Sequence, residues 1–369
     1  MIAGLFTELA TPGGIQRSGL LTAHALASIA RERSEPCRFL SLADHPPGMQ
    51  SVASAGQEIR FTACGGNKPR LLSHALALAA RQPRVIVALH PNLAPVAALM
   101  KVLAPGMHTL VVVHGVEVWT PLPFFRRIAL RSADRVLAPS RDTLSRAIKA
   151  QRLLTTKVRR LAWSLGPEFD PGKPVSPAPP FANFPRGRVV LIVGRWDATE
   201  AYKGVDHLIV AIPELLTDFP DVQLVAVGEG TDLPRLKALA GKSGAPDHIH
   251  FLPFIPHDQL PSVYDHCEIF AMPSRGEGFG LVFIEAMARG KPVIGGAHGG
   301  IPDVIDDGIN GFLVSFGDVP QLVNRLSHLL ARETLRREMG VAARAKVERE
   351  FTFARFSAEL ASIVNEMSE

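Results

Sequence analysis

The stretch SRGEGFGLVFIEAMARGKPVIGGAHGG, residues Ser274 to Gly300, decides the fold of this chain. A short apolar run precedes it and ends at Pro273, which predicts a buried strand. A glycine-rich loop follows at residues 276–280. Apolar residues at helical spacing then predict a helix that begins near Leu281 and closes at Gly290. The pattern therefore indicates a strand, a glycine loop and the start of a helix in direct succession.

This succession of elements predicts an anion site. Glycines let the backbone approach a ligand closely, and the first turn of a helix offers unpaired N–H groups that suit phosphate. Two carboxylates flank the site, Glu277 in the loop and Glu285 inside the predicted helix. Because a carboxylate accepts hydrogen bonds from vicinal hydroxyls, the combination favours a sugar nucleotide. The alternative is an ordinary turn with two solvated glutamates.

The stretch resembles the E-x7-E signature of retaining glycosyltransferases of family four. The segments that carry the resemblance are EGFG, EAMARGKPVI and GGIPD, with Asp303 where many members have Glu. The resemblance implies an α/β protein of the GT-B fold, with two Rossmann-like doubly wound domains facing across a cleft. It extends over nearly the whole chain and is stronger after residue 189.

The resemblance also implies roles for individual residues. Glu277 is expected to hold the hydroxyls of the transferred sugar as a catalytic residue, and Glu285 is expected to hold the ribose. The residues expected to complete this part of the donor site are Gly278, Phe279, Gly280 and Leu281.

Two cations follow another predicted strand in the second half of the chain. Arg195 comes directly after an apolar run at residues 189–193, and Lys203 stands at the predicted start of the next helix. Arginine can grip phosphate oxygens with two N–H groups, and lysine adds a point charge. The pair resembles the family's diphosphate clamp, although its spacer WDATEAY is longer than in many members. The alternative is an unrelated surface arginine and a lysine at a helix start.

The first half alternates apolar runs with helical stretches, which is typical of a doubly wound α/β domain. Several runs are almost wholly apolar, as in parallel strands covered on both faces. We predict strands at residues 2–6, 38–42, 85–89, 109–113 and 135–138, and helices at 71–80, 93–103 and 124–132.

Further candidate site residues lie where these strands end. Gly13 and Gly14 separate the first strand from the first helix, and PGGIQR resembles the family's glycine loop beside the donor diphosphate or the acceptor. An ordinary surface turn is the alternative. His90 and His114 each follow a strand, where the ligand crevice of an open sheet lies. HGVEVW resembles the family segment whose histidine approaches the donor sugar, so His114 is expected to be catalytic. The alternative for both histidines is capping of a local turn.

A proline-rich segment divides the chain. Residues 166–187 contain seven prolines, which excludes a regular helix or a central strand and indicates a linker. In the second half we predict strands at 189–193, 222–227, 249–254 and 311–314, and helices at 319–331, 336–350 and 351–367. We therefore expect an acceptor-side domain at 1–165, the linker, a donor-binding domain at 188–350, and a terminal helix at 351–369 that crosses back to the first domain.

Composition limits the setting of the protein. The 369 residues are 47% hydrophobic, enough for two or three domains with substantial cores. Three scattered cysteines lack metal-binding spacing, so we expect a reduced, cytoplasmic location. We see neither a signal peptide nor an apolar run of about 18 residues, the length that would predict a transmembrane helix.

Charge is uneven along the chain. Residues 1–170 contain 21 Lys and Arg against 10 Asp and Glu, whereas the remainder contains 19 against 25. The basic first half, including the aromatic and basic stretch Phe124 to Arg131, suits a phosphorylated or lipid-linked acceptor, or peripheral contact with the inner face of a membrane. A solvated basic surface is the alternative. Nucleic acid is not expected, because no aromatic-interleaved basic motif accompanies the charge.

The reaction implied is transfer of a sugar, with retention, from a nucleotide donor to a hydroxyl of a saccharide or lipid-linked acceptor. GDP-mannose and UDP-sugars are the candidate donors. With no D-x-D motif, no metal and no cofactor are expected, and Arg195, Lys203 and the helix N-terminus would stabilise the departing diphosphate. A sugar phosphorylase, a sugar-nucleotide epimerase on the same fold, and a non-catalytic nucleotide-sugar-binding scaffold remain as alternatives.

Overall fold

A computed structural model describes residues 1–11, 13–54, 57–172, 181 and 184–367. The chain forms two compact α/β units. Unit 1 comprises Met1–Gly166 together with Phe353–Glu369, and unit 2 comprises Pro167–Thr352. Much of the linker predicted at 166–187, namely residues 173–180 and 182–183, lies outside the described residues.

Unit 1 is built around one sheet. Its strands are β1 Ile2–Phe6, β2 Cys37–Ser41, β3 Gly48–Ser54, β4 Gln57–Ala63, β5 Val85–Ala88, β6 His108–Val112, β7 Arg135–Ala138 and β8 Val158–Arg160. Over the described residues the strand order is β3-β4-β2-β1-β5-β6-β7-β8, and β3 alone runs antiparallel. Strands β1 and β5 are buried along their whole length, as expected for central strands covered on both faces.

Helices alternate with these strands. They are α1 Gly14–Glu32, α2 Lys68–Ala79, α3 Ala94–Leu103, α4 Phe124–Ser132 and α5 Arg141–Gln151. Helix α2 begins three residues earlier than the apolar pattern predicts, because the Asn67 side chain accepts a hydrogen bond of 2.9 Å from the Arg70 N–H and Pro69 occupies the first turn. The predicted strands and helices of this half are confirmed, with small shifts of their ends.

Unit 2 contains a second, fully parallel sheet. Its strands are β9 Arg188–Val193, β10 Val222–Val227, β11 Ile249–Leu252, β12 Ile269–Met272, β13 Val293–Gly296 and β14 Gly311–Val314. Its helices are α6 Val205–Leu215, α7 Leu233–Gly241, α8 Leu260–Asp265, α9 Leu281–Ala288, α10 Ile301–Val304, α11 Val319–Leu330 and α12 Glu333–Glu350. In the described part of this unit the strand order is β11-β10-β9-β12-β13-β14.

The last helix, α13 Phe353–Glu366, belongs to unit 1 although it follows unit 2 in the chain. It packs against α1, and the rings of His24 and Phe353 lie 4.7 Å apart between their centroids. Phe356 and Leu360 bury the apolar stripe of the helix. Unit 1 therefore incorporates both the first and the last helix of the described chain.

Candidate active site

The carboxyl ends of β9 and β12 define the crevice of unit 2. The two strands are neighbours, but the chain continues from β9 to one side of the sheet and from β12 to the other. Ligands of open α/β sheets bind at such a reversal, because the loops that follow the two strands diverge there. The loop after β9 carries Arg195 and Lys203, and the loop after β12 carries Glu277. Three predicted site residues therefore lie at the same end of the sheet, where β9 and β12 terminate.

Arg195 and Lys203 are held together by a carboxylate that lies between them in the sequence. Glu200 forms ion pairs with both, and its Oε1 accepts a hydrogen bond of 3.0 Å from Arg195 Nε. Lys203 Nζ also donates to the Arg195 carbonyl oxygen at 3.2 Å. Although burial opposes it, hydrogen bonds from the two cations lower the pKa of Glu200. Sequence reasoning missed Glu200, even though an acid three residues before a lysine was a readable signal.

The glycine loop after β12 presents Glu277. Its Oε1 is buried and has no hydrogen-bond partner among the described residues. The backbone is fixed by Gly300, whose N–H donates to the Glu277 carbonyl oxygen at 2.7 Å. Gly299 adopts a φ of +66°, and a Cβ there would lie 2.5 Å from the same oxygen, so glycine is required. The loop therefore offers an unsatisfied carboxylate oxygen on a rigid backbone, as a hydroxyl ligand requires.

Burial raises the pKa of Glu277 to about 7, against the attraction of Lys203 and with a contribution from the charge of Glu200. Burial and the Glu277 charge likewise raise the pKa of Tyr202. Glu277 is therefore partly protonated near neutral pH. A ligand cation or a hydroxyl donor would shift it toward the carboxylate.

The raised pKa of Glu277 has a measurable consequence for stability. A carboxyl group that binds its proton more tightly when folded makes stability fall as pH rises from 4.5 to about 7. We expect Glu277→Gln to unfold a few degrees above wild type at pH 8, and at nearly the same temperature as wild type at pH 5. Thermal unfolding at both pH values measures this. The exposed Glu214→Gln is the control, and an equal difference at both pH values for Glu277→Gln would contradict the assignment.

Helix α9 begins directly behind this loop. Gly280 precedes it with a φ of +95°, and the first turn contains no acidic residue. The Phe283 N–H donates to the Gly280 carbonyl oxygen at 3.1 Å, and no side chain caps this end of the helix. The first turn of α9 is thus a helix end of the kind that suits an anion. Gly278, Gly280 and Leu281 are partly exposed at this edge, whereas the Phe279 side chain is 3% exposed and packs edge-on against Phe351 at 5.6 Å. The Phe279 side chain thus packs into the core of unit 2, so Phe279 could contact a ligand only through its backbone.

Glu285 lies inside the second turn of α9. It is 3% exposed, and the hydroxyl of the buried Tyr264 donates to its Oε2 at 2.8 Å. The same helix ends at Arg289, which forms a bidentate, almost fully buried pair with Asp265 of α8. The sequence alone did not predict the hydrogen bond between Tyr264 and Glu285. The role of Glu285 toward ribose stays a prediction.

Two more buried polar atoms near the crevice have no hydrogen-bond partner among the described residues, Ser274 Oγ and Trp196 Nε1. Ser274 follows β12 with only Pro273 between, and Trp196 follows Arg195. Gly228 has a φ of +134°, and a Cβ there would lie 1.8 Å from the Gly194 carbonyl oxygen and 3.3 Å from Trp196 Nε1. The turns after β9 and β10 are therefore packed backbone to backbone beside these atoms. Neither Ser274 nor Trp196 was predicted as a site residue.

In unit 1, His114 follows β6 and is fixed on several sides. Its Nε2 hydrogen-bonds the Leu89 carbonyl oxygen at 2.6 Å, and its ring stacks on Trp163 at 5.4 Å. The Glu117 carboxylate accepts hydrogen bonds from the backbone N–H groups of His114 and Gly115. Burial lowers the pKa of His114 to about 4, so the ring is neutral at pH 7.

His90 caps a local turn, which is one of the two interpretations that the sequence allows. Its Nδ1 accepts a hydrogen bond of 3.1 Å from the Asn92 N–H and caps the short turn after β5. Its ring lies 5.9 Å from that of His114. Sequence reasoning missed Trp163, which is 4% exposed and completes this row of rings.

The glycines after β1 stand at the start of α1. Gly13 precedes the helix and Gly14 is its first residue. The preceding loop is held by the buried Asp44, which accepts hydrogen bonds from the N–H groups of Leu9 at 2.7 Å and Ala10 at 3.0 Å. The glycine loop is thus anchored at its beginning.

The described residues contain no group of three or more His, Cys, Asp and Glu side chains placed to hold a metal ion. None of their helices combines the length and the apolar character needed to cross a bilayer.

The fold is that of a GT-B glycosyltransferase, and the family model "Glycosyl transferases group 1" matches residues 180–346. The chain belongs to this group, glycosyltransferase family four, because the phosphatidyl-myo-inositol mannosyltransferase of Mycobacterium leprae is 31% identical over 355 residues, 93% of this chain and 90% of that protein.

A second relative is the GDP-mannose-dependent alpha-(1-6)-phosphatidylinositol monomannoside mannosyltransferase of Mycolicibacterium smegmatis. It is 39% identical over 149 residues, which span 38% of this chain and 39% of that protein. Sucrose-phosphate synthase from Thermosynechococcus elongatus shares the fold, with a TM-score of 0.80 at 20% identity over 99% of this chain and 98% of that one. The α/β architecture predicted from the sequence is confirmed.

Proposed function

We propose that this glycosyltransferase moves a hexose from a nucleoside-diphosphate donor to a hydroxyl group of its acceptor, with retention and without a metal ion. The observation that carries the proposal is the grouping of three side chains at the carboxyl ends of β9 and β12 in unit 2. There Arg195 and Lys203 offer positive charge, and the unpartnered Oε1 of Glu277 offers a hydrogen-bond acceptor. Diphosphate and sugar hydroxyls are the groups that such a grouping suits.

The proposed chemistry follows from charge. Negative charge accumulates on the diphosphate as the glycosidic bond breaks, so fixed donors at that position lower the barrier. Arg195, Lys203 and the first amides of α9 supply these donors. Glu277 accepts hydrogen bonds from the transferred sugar and fixes its orientation, while Glu285 is proposed to hold the ribose. Because the negative charge on the diphosphate grows as the glycosidic bond breaks, these donors stabilise the transition state more than the ground state.

Residues of unit 1 complete the proposal. The neutral His114 is proposed to hydrogen-bond the transferred sugar, and Gly13 and Gly14 to contact the diphosphate or the acceptor. No side chain is proposed to form a lasting covalent intermediate. Retention is then tested directly by NMR of the glycoside product, whose anomeric configuration should match that of the sugar in the donor.

The names of the relatives favour particular substrates. One relative is named as GDP-mannose-dependent, and two act on phosphatidylinositol or its mannoside by name. We therefore propose GDP-mannose as the donor and a lipid-linked or saccharide hydroxyl as the acceptor class, with UDP-sugars as the competing donors.

The experiment is release of nucleoside diphosphate from GDP-mannose or UDP-glucose, each with and without a phosphoinositide acceptor and with a chelator present. Acceptor-dependent release from GDP-mannose in chelator supports the proposal. Release that requires inorganic phosphate indicates a phosphorylase, and isomerised donor indicates an epimerase. Binding without any turnover indicates a scaffold. Loss of activity in chelator with recovery in manganese would contradict metal independence.

Contact with a membrane surface is proposed for helix α4. Phe124 and Phe125 are 61% and 80% exposed and lie beside Arg126 and Arg127. Exposed rings among arginines suit an anionic bilayer, because the rings enter the interface and the charges meet lipid phosphates.

We expect the double variant Phe124→Ser, Phe125→Ser to reduce co-sedimentation with vesicles of phosphatidylglycerol and phosphatidylcholine about tenfold or more, since two apolar side chains leave the interface. Met49→Ser is the control, because Met49 is 72% exposed in the same unit but lies on β3. Equal sedimentation of both variants and wild type would remove α4 from the proposal.

A further inference from the structure

Glu200 occupies the position between the two cations that the proposed function assigns to diphosphate. Its carboxylate pairs with Arg195 through one oxygen and with Lys203 through the other. The Glu200 and Lys203 side chains are only 13% and 12% exposed, whereas Arg195 is 69% exposed. An exposed ion pair contributes little, but this one is largely shielded from water at Lys203. In this state neither cation presents an uncompensated charge to a ligand.

The backbone at Glu200 is built differently from a regular helix. Residues Ala198–Lys203 form a short 3-10 segment, and Glu200 interrupts it with φ −111° and ψ 16°. A break of this kind allows the side chain to be redirected by rotation at one residue, without unwinding a helix.

Asp197, the other acid beside Arg195, is bound differently. Its Oδ1 accepts hydrogen bonds from the Thr231 N–H at 3.1 Å and the Thr231 hydroxyl at 3.2 Å, and its Oδ2 lies 3.2 Å from Arg195 Nε. Asp197 therefore joins two loops and reaches one cation, whereas Glu200 bridges both.

We infer that Glu200 is a positioning residue that competes with the diphosphate: it keeps the two cations at a fixed spacing while the site is empty, and the donor must displace it. A diphosphate carries more negative charge than one carboxylate, so it wins the exchange. After transfer, Glu200 recaptures the cations and speeds departure of the nucleoside diphosphate, a step that limits turnover in many enzymes. The inference rests on the proposed function.

The test is the affinity of wild type, Glu200→Gln and Glu200→Ala for GDP, UDP and inorganic pyrophosphate by titration calorimetry. Removing the competing charge is expected to tighten nucleoside-diphosphate binding about tenfold in both variants. Glu200→Asp, which keeps the charge, is expected to stay within about threefold of wild type. In turnover, Glu200→Gln should lower both KM for the donor and kcat, because product leaves more slowly.

Asp221→Asn is the matched control. Asp221 is also paired with an arginine of the same sheet, Arg188 at 3.0 Å, but at the opposite end of β9. The Asp221→Asn substitution removes one negative charge, as Glu200→Gln does, and should leave the affinity for nucleoside diphosphates unchanged.

The outcomes separate the two claims. If wild type binds GDP or UDP and the folded Glu200 variants bind equally or more weakly, Glu200 merely supports the cations and the inference is wrong while the proposed function stands. If only the variants bind, the inference holds in its strongest form. If neither wild type nor variants bind any of the probes, the proposed function fails and the inference fails with it.

Discussion

Lys203→Ala is expected to lower kcat/KM for sugar transfer by about 100-fold or more. Lys203 pairs with Glu200 in the segment after β9 and its side chain is 12% exposed, so its charge acts in a medium of low dielectric constant. Removal of one fixed donor at a site of developing negative charge typically costs a factor of about 100 to 1,000 in rate. Glu277→Ala should show a loss of similar size, because the sugar is no longer oriented. Initial rates of nucleotide release measure both.

The control for Lys203→Ala is Lys242→Ala. Lys242 is exposed at the end of α7, away from the carboxyl ends of β9 and β12. The Lys242→Ala variant should therefore retain wild-type kinetics. Circular dichroism and thermal unfolding must show that Lys203→Ala is folded. A folded Lys203→Ala enzyme that keeps at least a fifth of wild-type kcat/KM would reject the diphosphate clamp.

Arg289→Ala is expected to destabilise unit 2 by about 3–5 kcal/mol. The Arg289 and Asp265 side chains are 3% and 2% exposed and are joined by hydrogen bonds of 2.7 and 2.8 Å. Removing the arginine leaves a buried carboxylate with its principal partner gone. Because Arg289 closes α9, we expect the loss to extend to the Tyr264–Glu285 hydrogen bond. Denaturant unfolding followed by fluorescence measures the change in the free energy of unfolding.

Arg349→Ala tests whether the effect comes from burial. Arg349 pairs with Glu350 at 2.6 Å, but its side chain is 62% exposed, so the change should cost less than about 1 kcal/mol. Equal destabilisation by Arg289→Ala and Arg349→Ala would show that the buried pair has no special weight.

Hydrophobic patterning predicted most of the parallel strands, because strands buried on both faces are almost wholly apolar. The hairpin of β3 and β4 was missed because neither strand is wholly apolar. In β4, buried and more exposed residues alternate between Gln57 and Ala63, and β3 is a partly exposed edge strand that includes polar residues. Strand β8, Val158–Arg160, has three residues, of which two are exposed arginines. Edge strands of this kind are specified by pairing rather than by apolar content.

The relative positions of the candidate site residues were predictable where a motif lies within one loop. Glu277, Gly280 and Leu281 lie together at the sheet edge because they are close in sequence. Contacts between distant segments were not predictable, such as the ring of Trp163 on His114 or the Tyr264 hydroxyl on Glu285. Glu200 is an intermediate case: its spacing from Lys203 was visible, but pairing with Arg195 depends on the irregular 3-10 segment.

The return of α13 to unit 1 makes unit 2 an insertion between residues 166 and 353. During synthesis on the ribosome, all of unit 2 emerges before the helix that α1 packs against, so the unit translated first is the last to be completed. An exchange of unit 2 between relatives would accordingly need two splice points, one at each boundary, rather than a single crossover.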